Sequence, residues 1–238
     1  MSPSLLHLLD KHNNQTQARS VSVRIRQESV GPGRTGVALW NSSLLLTRFL
    51  DRVTATKPDW LENKSVIELG CGTGLLSIAL SKLSNGLAKR VVATDGNPAV
   101  LELARSNVEA NGIDVETEAL QWSALDAADY YDEADLVAGS DLTYNSAAWK
   151  QLAETMATVL KPGGIVVYMT LGHSGLSTPA EVDGFLQVAS SEGLERIDSI
   201  AGITDLNGVL RSCIRTRDEA SIVTSSGGLG LLVLTRKR

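Results

Sequence analysis

The feature that most constrains the fold is an apolar stretch, Ser65–Leu69, followed by three closely spaced glycines and then by a helical pattern. This order predicts a buried strand, a tight turn and a helix, Leu75–Leu83. Glycine lets a ligand approach the backbone of such a turn closely. Gly70, Gly72 and Gly74 are spaced two and two, whereas a dinucleotide-binding turn has its third glycine five positions after the first. The spacing therefore argues against NAD as the ligand of this turn. The alternative that the turn binds no ligand stays open.

From residue 64 onward, short apolar runs alternate with longer stretches of helical period, which is typical of a parallel sheet covered on both faces. The predicted fold class is therefore α/β. The further predicted strands are Arg90–Thr94, Val115–Leu120, Leu136–Gly139, Ile165–Thr170, Leu194–Ala201 and Leu229–Leu234. The further predicted helices are Pro98–Ala110, Ala147–Leu160 and Pro179–Ser191. We expect the last two strands to pair as a hairpin at one edge of the sheet.

Composition indicates a single domain without nucleic-acid or membrane partners. The 238 residues, 43% of them hydrophobic, suffice for one core. The net charge is −5 and the basic residues are scattered, so no surface for a nucleic-acid backbone is indicated. Cys71 and Cys213 are too few for a disulfide framework and lack the spacing of zinc ligands. The apolar runs are strand-sized and the first ten residues do not resemble a signal peptide, so we expect a cytoplasmic or nuclear protein.

An acidic residue, Asp95, ends the second predicted strand twenty-five positions after Gly70. A carboxylate at that place can accept hydrogen bonds from both hydroxyls of a ribose. It can instead serve the start of the next helix, where Asn97 is the predicted N-cap and Pro98 the first helical residue. The glycine turn favours the ribose interpretation.

The motif from Glu68 to Gly74, Asp95 and the segment from Leu160 to Gly164 resemble the seven-strand, S-adenosylmethionine-dependent methyltransferases. More narrowly, the chain resembles their protein-lysine methyltransferase branch, methyltransferase family 16. The narrower resemblance extends over about residues 23–170 and rests on four groups of residues. These are Gly36 to Trp40, Asn107 to Gly112, Trp122, and Asp141 to Tyr144.

The resemblance implies a Rossmann-like, doubly wound seven-stranded sheet, mostly parallel with an antiparallel C-terminal edge hairpin. It also implies S-adenosylmethionine as cofactor, and no metal. The implied cofactor-binding residues are Trp40, Glu68, Gly70, Cys71, Gly72, Asp95, Trp122 and Ser140. Trp122 is expected near the adenine and Glu68 near the amino group of the cofactor. Two alternatives stay open: the tryptophans could be core side chains, and Glu68 could only cap nearby amides.

Asp141 and Tyr144 follow the fourth predicted strand, at the sheet edge where a substrate would meet a ligand held by the first two strands. The resemblance implies that they are catalytic and hold the target lysine. A lysine amine with a pKa of about 10.4 must lose a proton before it can attack. Asp141 can orient the amine, and Tyr144 can offer an oxygen and a ring face to the cation. The alternative that this segment is an ordinary helix start, with Asp141 or Asn145 as N-cap, stays open.

The expected function is N-methylation of a lysine in a protein, such as a translation factor or chaperone, by a monomer. A histidine, terminal amine, small molecule or RNA as acceptor stays open, as does a non-catalytic binding module. We expect residues 1–60 to be an extension covering the cofactor site, 61–170 the cofactor-binding core, and 171–238 a substrate-side region. His173 is a weaker candidate base, and residues 204–228 could form a lid, a helix or a solvated connection.

Overall fold

The computed structural model describes residues 4–7, 21–31, 35–171, 176, 178–217, 219–220 and 230–237. The strands are β1 (Ser4–His7), β2 (Ser22–Ile25), β3 (Ser65–Leu69), β4 (Arg90–Asp95), β5 (Glu116–Ala119), β6 (Ala134–Ser140), β7 (Leu160–Thr170), β8 (Leu194–Arg196) and β9 (Gly230–Arg236). The helices are α1 (Asn41–Thr56), α2 (Leu75–Leu83), α3 (Pro98–Asn111), α4 (Trp149–Val159), α5 (Pro179–Ser191) and α6 (Leu206–Ser212).

Strands β3 to β9 form one sheet in the order β5-β4-β3-β6-β7-β9-β8. The pairs among β3 to β7 are parallel, whereas β9 runs antiparallel to both β7 and β8. The predicted seven-stranded, mostly parallel sheet with an antiparallel edge is therefore confirmed. The chain moves outward from β3 to β5 and then returns to β6 on the other side of β3. In open α/β sheets, ligands bind at the carboxyl ends of the strands beside such a switch point.

The two faces of the sheet bury different helices. Side chains alternate along each strand, so Val66 contacts the cluster that includes α1, α2, α3 and α6, whereas Ile67 contacts the cluster that includes α4 and α5. The sheet is thus buried on both sides, as the continuous apolar runs predict. Among the described residues, no helix is long and apolar enough to cross a membrane.

Predicted and observed element bounds agree best where the turn signals are strong. β3, α2 and α5 have the predicted bounds. α4 begins at Trp149 rather than Ala147, because a short 3-10 turn precedes it, and β8 ends at Arg196 rather than Ala201. β7 begins at Leu160 rather than at the predicted Ile165, so residues 160–164 belong to the strand, beside a register irregularity in the pairing with β6. α1 was not predicted, and its N-cap residue supplies no capping hydrogen bond from its side chain.

The N-terminal strands form a separate antiparallel pair that packs on α3 through two asparagines. The Asn107 amide accepts from the Arg26 N–H at 2.8 Å and donates to the Arg26 carbonyl at 2.9 Å. The Asn111 amide does the same with Arg24, at 3.0 Å and 2.7 Å. The asparagines lie one helical turn apart and their partners Arg24 and Arg26 lie two positions apart, so each side-chain amide takes the place of a neighbouring strand.

Candidate active site

A cavity of about 650 Å³ opens at the carboxyl ends of β3, β4 and β6. Its walls come from the segments that follow β3 to β6 and from residues 35–43, before and at the start of α1. The predicted site residues on these walls are Trp40, Gly70, Cys71, Gly72, Asp95, Trp122, Ser140, Asp141 and Tyr144. Of the residues proposed for the cofactor, only Glu68 is not part of the wall.

The glycine turn after β3 is shaped by backbone conformation and by close neighbours. Gly70, Gly72 and Gly74 have φ values of 60°, 55° and 80°, a region that side chains disfavour. A Cβ atom on Gly70 would lie 2.4 Å from the Leu142 side chain, and one on Gly72 would lie 3.0 Å from the Gly36 carbonyl oxygen. The turn therefore also needs glycine to pack against the segments after β6 and before α1.

Asp95 supports this turn from the end of β4. One carboxylate oxygen accepts the Gly72 N–H at 3.2 Å, and the other accepts the Asn97 N–H at 2.9 Å. Burial raises the pKa of Asp95, and hydrogen bonds from these amides partly oppose that effect. Asn97 itself caps α3 by accepting from the Ala99 N–H at 3.0 Å, as predicted. The carboxylate keeps lone-pair capacity for a further donor, so Asp95 still fits a ribose.

Glu68 lies outside the cavity wall, and its side chain is bonded to the start of α2. Only 2% of it is exposed, and its carboxylate accepts hydrogen bonds from the Ser77 amide, at 2.8 Å, and from the Ser77 hydroxyl. Burial raises the pKa of Glu68 to about 8, although the bonds from Ser77 favour the charged form. The side chain caps α2 rather than forming part of the cavity wall, which matches the alternative of a carboxylate bonded to nearby amides.

Asp141 is held by the end of β7, by the residue that follows this strand and by α1. Its φ is 54°, and its N–H donates to the Met169 carbonyl at 2.9 Å. One carboxylate oxygen accepts the Leu171 N–H at 3.0 Å, and the other accepts the Ser42 hydroxyl of α1. Asn145, not Asp141, is the N-cap of the short turn before α4. Asp141 is therefore a residue of the cavity wall and not the cap of a helix start.

Two aromatic residues that the sequence did not single out hold the segment after Asp141. Tyr168 on β7 is fully buried, and its hydroxyl accepts the Leu142 and Thr143 amides at 2.9 Å and 3.1 Å. Burial raises the pKa of Tyr168, so this hydroxyl stays neutral. The Trp149 indole N–H donates to the Thr143 carbonyl at 2.9 Å. The sequence does contain one indication of the role of Tyr168. A tyrosine inside an apolar strand is expected to be buried, and a buried hydroxyl needs a hydrogen-bond partner.

The aromatic residues of the wall differ in exposure. Tyr144 is 64% exposed and Trp40 is 37% exposed, so both lie at the opening of the cavity. The Trp40 indole N–H donates to the Thr35 carbonyl at 3.2 Å. Trp122 lines the cavity and also packs against the core cluster beneath α4, so it is both a wall residue and a core side chain. His173 lies outside the described residues.

The wall fits S-adenosylmethionine better than it fits a metal ion. Gly70 and Gly72 line the cavity with main-chain atoms alone, which a ligand can approach closely, and Asp95 can accept from a ribose. The part of the chain that the structure describes contains no group of three His, Cys, Asp or Glu side chains that could hold a metal ion.

Comparison with known proteins identifies the family. A family model described as lysine methyltransferase, methyltransferase family 16, matches residues 17–181. The chain belongs to this family. Family membership and the fold imply S-adenosylmethionine as the cofactor, in agreement with the geometry of the cavity walls.

Individual relatives cover only part of the chain. A calmodulin-lysine N-methyltransferase of Arabidopsis thaliana is 31% identical over 130 residues, which are 52% of this chain and 41% of that protein. A ribosomal protein L11 methyltransferase of Haemophilus influenzae is 34% identical over 128 residues, 52% of this chain and 38% of that protein. The chain thus matches about two fifths of the length of these relatives.

Solved structures of the same fold include enzymes of different chemistry. A TehB-like SAM-dependent methyltransferase of Corynebacterium glutamicum superimposes with a TM-score of 0.56 at 18% identity, covering 81% of this chain and 88% of that one. The [4+2]-cyclase SpnF gives a TM-score of 0.54 at 15% identity, covering 80% of each chain. These similarities show the fold alone, because one fold can support unrelated reactions.

Proposed function

We propose that this member of the lysine methyltransferase family transfers a methyl group from S-adenosylmethionine to a lysine side chain of a protein. The observation that carries the proposal is that Asp141 and Tyr144 share one cavity with the glycine turn and Asp95. A carboxylate and a phenol therefore lie beside the proposed cofactor site. The family description and the calmodulin-lysine relative support lysine as the acceptor, and the ribosomal protein L11 relatives support a protein substrate.

The chemistry of lysine explains why these two side chains suit the task. When bound, the cofactor supplies a methyl group on a sulfonium centre. A lysine with a pKa of about 10.4 must first become neutral, which costs about 4 kcal/mol at pH 7.4. Asp141 is fixed by Ser42 and Leu171 but keeps lone pairs, so it can accept an amine N–H and orient the nitrogen. Tyr144 can stabilise the arriving ammonium with its ring face.

The opening of the cavity fits an acceptor that belongs to another macromolecule. Tyr144 and Trp40 are both partly exposed at this opening, so a side chain on a second protein can reach the wall without first being enclosed. Most of the remaining acceleration would come from alignment of the nitrogen with the methyl carbon and sulfur. We include in the proposal that the substrate is a folded protein such as a translation factor or chaperone.

The test is transfer of labelled methyl from S-adenosylmethionine into a cell extract, with wild-type protein and an Asp141→Asn variant. Asparagine tolerates the φ of 54° at this position better than alanine does, so the variant removes charge with little backbone strain. We expect the labelling rate to fall about a hundredfold, because the amine loses its oriented acceptor. Cofactor affinity, measured by calorimetry, should stay within about twofold of the wild-type value.

The matched control is Asp198→Asn, which removes a carboxylate that is 90% exposed and is not part of the cavity wall. It should label as fast as wild type. A protein band that maps to lysine and is lost in Asp141→Asn would support the proposal. Label on histidine, a terminal amine, RNA or a small molecule would identify another acceptor. Cofactor binding without any label would favour a non-catalytic module.

A further inference from the structure

We propose that Ser42 is a positioning residue, whose hydroxyl sets the orientation of the Asp141 carboxylate toward the acceptor amine. Ser42 lies in the first turn of α1, ninety-nine positions before Asp141 in the chain. It is fully buried and is not part of the cavity wall, so it does not reach a ligand itself. This inference rests on the proposed function, because orientation of Asp141 matters for methyl transfer only if Asp141 receives the amine.

The geometry follows from how a carboxylate is fixed. A carboxylate on a short side chain can rotate, so one donor leaves its plane undetermined, whereas donors to both oxygens define it. In this protein the Leu171 N–H holds one oxygen at 3.0 Å, and the Ser42 hydroxyl holds the other. The two donors come from different elements, the segment after β7 and α1. The lone pairs that remain on Asp141 therefore point in a direction that Ser42 determines.

The main chain supports only the base of this side chain. Asp141 donates its N–H to Met169, and Tyr168 holds the next two amides of the segment. These bonds place the Cα atom of Asp141 but leave its side-chain torsions free. Without the Ser42 hydroxyl, the carboxylate would keep one donor and would turn about that single bond. A small loss of alignment lowers reaction rates strongly, which makes the Ser42 contact measurable.

The same helix provides a matched control. Thr47 is 1% exposed, and among the described residues its hydroxyl has no hydrogen-bond partner. Thr47→Val removes a buried hydroxyl of α1 without changing the shape of the side chain. If loss of any buried hydroxyl in α1 disturbed the site, Thr47→Val and Ser42→Ala would have the same effect. If Ser42 acts through Asp141, only Ser42→Ala affects methyl transfer.

The first experiment is a double-mutant cycle with Ser42→Ala, Asp141→Gly and the double variant. Glycine removes the carboxylate and accepts the φ of 54° without strain. The readout is labelled methyl transfer into the same extract, with cofactor affinity measured in parallel. We expect Ser42→Ala to lower the rate about tenfold without changing cofactor affinity, and to have no further effect in the Asp141→Gly background. Additive losses in the double variant would overturn the proposal.

The second experiment needs neither cofactor nor acceptor, so it separates this inference from the proposed function. The amide of Leu171 is protected by the Asp141 carboxylate, so its hydrogen exchange in the free protein reports whether that carboxylate is held. We expect faster exchange at Leu171 in Ser42→Ala and wild-type exchange in Thr47→Val. Unchanged exchange in Ser42→Ala would overturn the positioning role. If wild type transfers no label, the proposed function fails, and this exchange measurement still decides whether Ser42 holds Asp141.

Discussion

Glu68 illustrates how strongly burial can act on one residue of this site. Its carboxyl group is almost completely removed from water, and its partners are the amide and hydroxyl of Ser77 rather than a cation. Desolvation is the largest influence and raises its pKa to about 8. The unfolded chain releases this proton near its ordinary value of 4.5. Between these two values the folded state therefore binds more protons than the unfolded state does.

This difference predicts that the free energy of unfolding decreases as the pH rises from about 4.5 to about 8. Glu68→Gln imitates the protonated side chain, so it should lack this part of the pH dependence. Relative to wild type, the variant should gain about 3 kcal/mol between about pH 5.5 and pH 8. Urea unfolding of the cofactor-free proteins at both pH values measures the gain. Glu102→Gln, at an exposed position of α3, should show no such gain, and an equal gain there would contradict the assignment to Glu68.

Helix α3 connects three parts of the structure through two asparagines. Asn107 binds both main-chain groups of Arg26 and also donates to the Thr73 carbonyl of the glycine turn at 2.9 Å. Asn111 binds Arg24 in the same way but is less deeply buried. Lys82 of α2 adds a bond to the Ser22 carbonyl at 2.7 Å. Strand β2 and the glycine turn are thus attached to the same helix face.

We expect Asn107→Ala to lower the free energy of unfolding by about 3 kcal/mol, because it leaves the buried Thr73 carbonyl and the partly buried N–H and carbonyl of Arg26 without their side-chain partner. Asn111→Ala should cost only about 1 kcal/mol, since water can replace more of its bonds. Urea unfolding measures both effects. Hydrogen exchange at the Arg26 amide should accelerate in Asn107→Ala and stay near the wild-type rate in Asn111→Ala. Equal effects of the two variants would contradict this assignment.

At the scale of the whole molecule, a buried ion pair joins α1 to the segment that follows α6. Arg48 and Glu219 are 2.9 Å apart, with 13% and 11% of their side chains exposed. Burial raises the pKa of Glu219, but bonds from the Arg215 amide and from Arg48 outweigh it, and the pKa is lowered overall. Within the region 204–228, for which a lid, a helix or a solvated connection was expected, helix α6 and Glu219 therefore contact α1.

Removing one partner of this pair should be costly. We expect Glu219→Ala to lower the free energy of unfolding by about 3 kcal/mol or more, because Arg48 would stay buried without its counter-charge. The control is Glu195→Ala, whose partner Lys237 is 2.8 Å away but whose side chain is 54% exposed. That variant should cost less than about 1 kcal/mol. Chemical denaturation measures the free energy of unfolding of both variants. Similar losses would show that burial of the Arg48–Glu219 pair adds nothing to stability.

Sequence reasoning worked best for features set by neighbouring residues. The bounds of β3 and α2 follow from an apolar run, a glycine turn and a helical period, and Asn97 caps α3 as its spacing predicts. α1 was missed because its N-cap side chain makes no capping bond. Tyr168 and Ser42 bind partners that are distant in the chain. A tyrosine within an apolar strand indicates that its hydroxyl needs a partner but not which one, and no local pattern indicates the role of Ser42.

The sequence by itself determined the order of β3 to β9 and of α2 to α5 between them, the glycine turn, and the residues that follow each of these strands, because these depend on local periodicity and backbone preference. Since the carboxyl ends of parallel strands meet at one edge, it also determined that Gly70, Asp95 and Asp141 would share a site. Only the tertiary structure decided where their side chains point. Packing turned Glu68 toward α2 and brought Ser42 to Asp141, because hydrogen-bond partners and burial depend on contacts between distant segments.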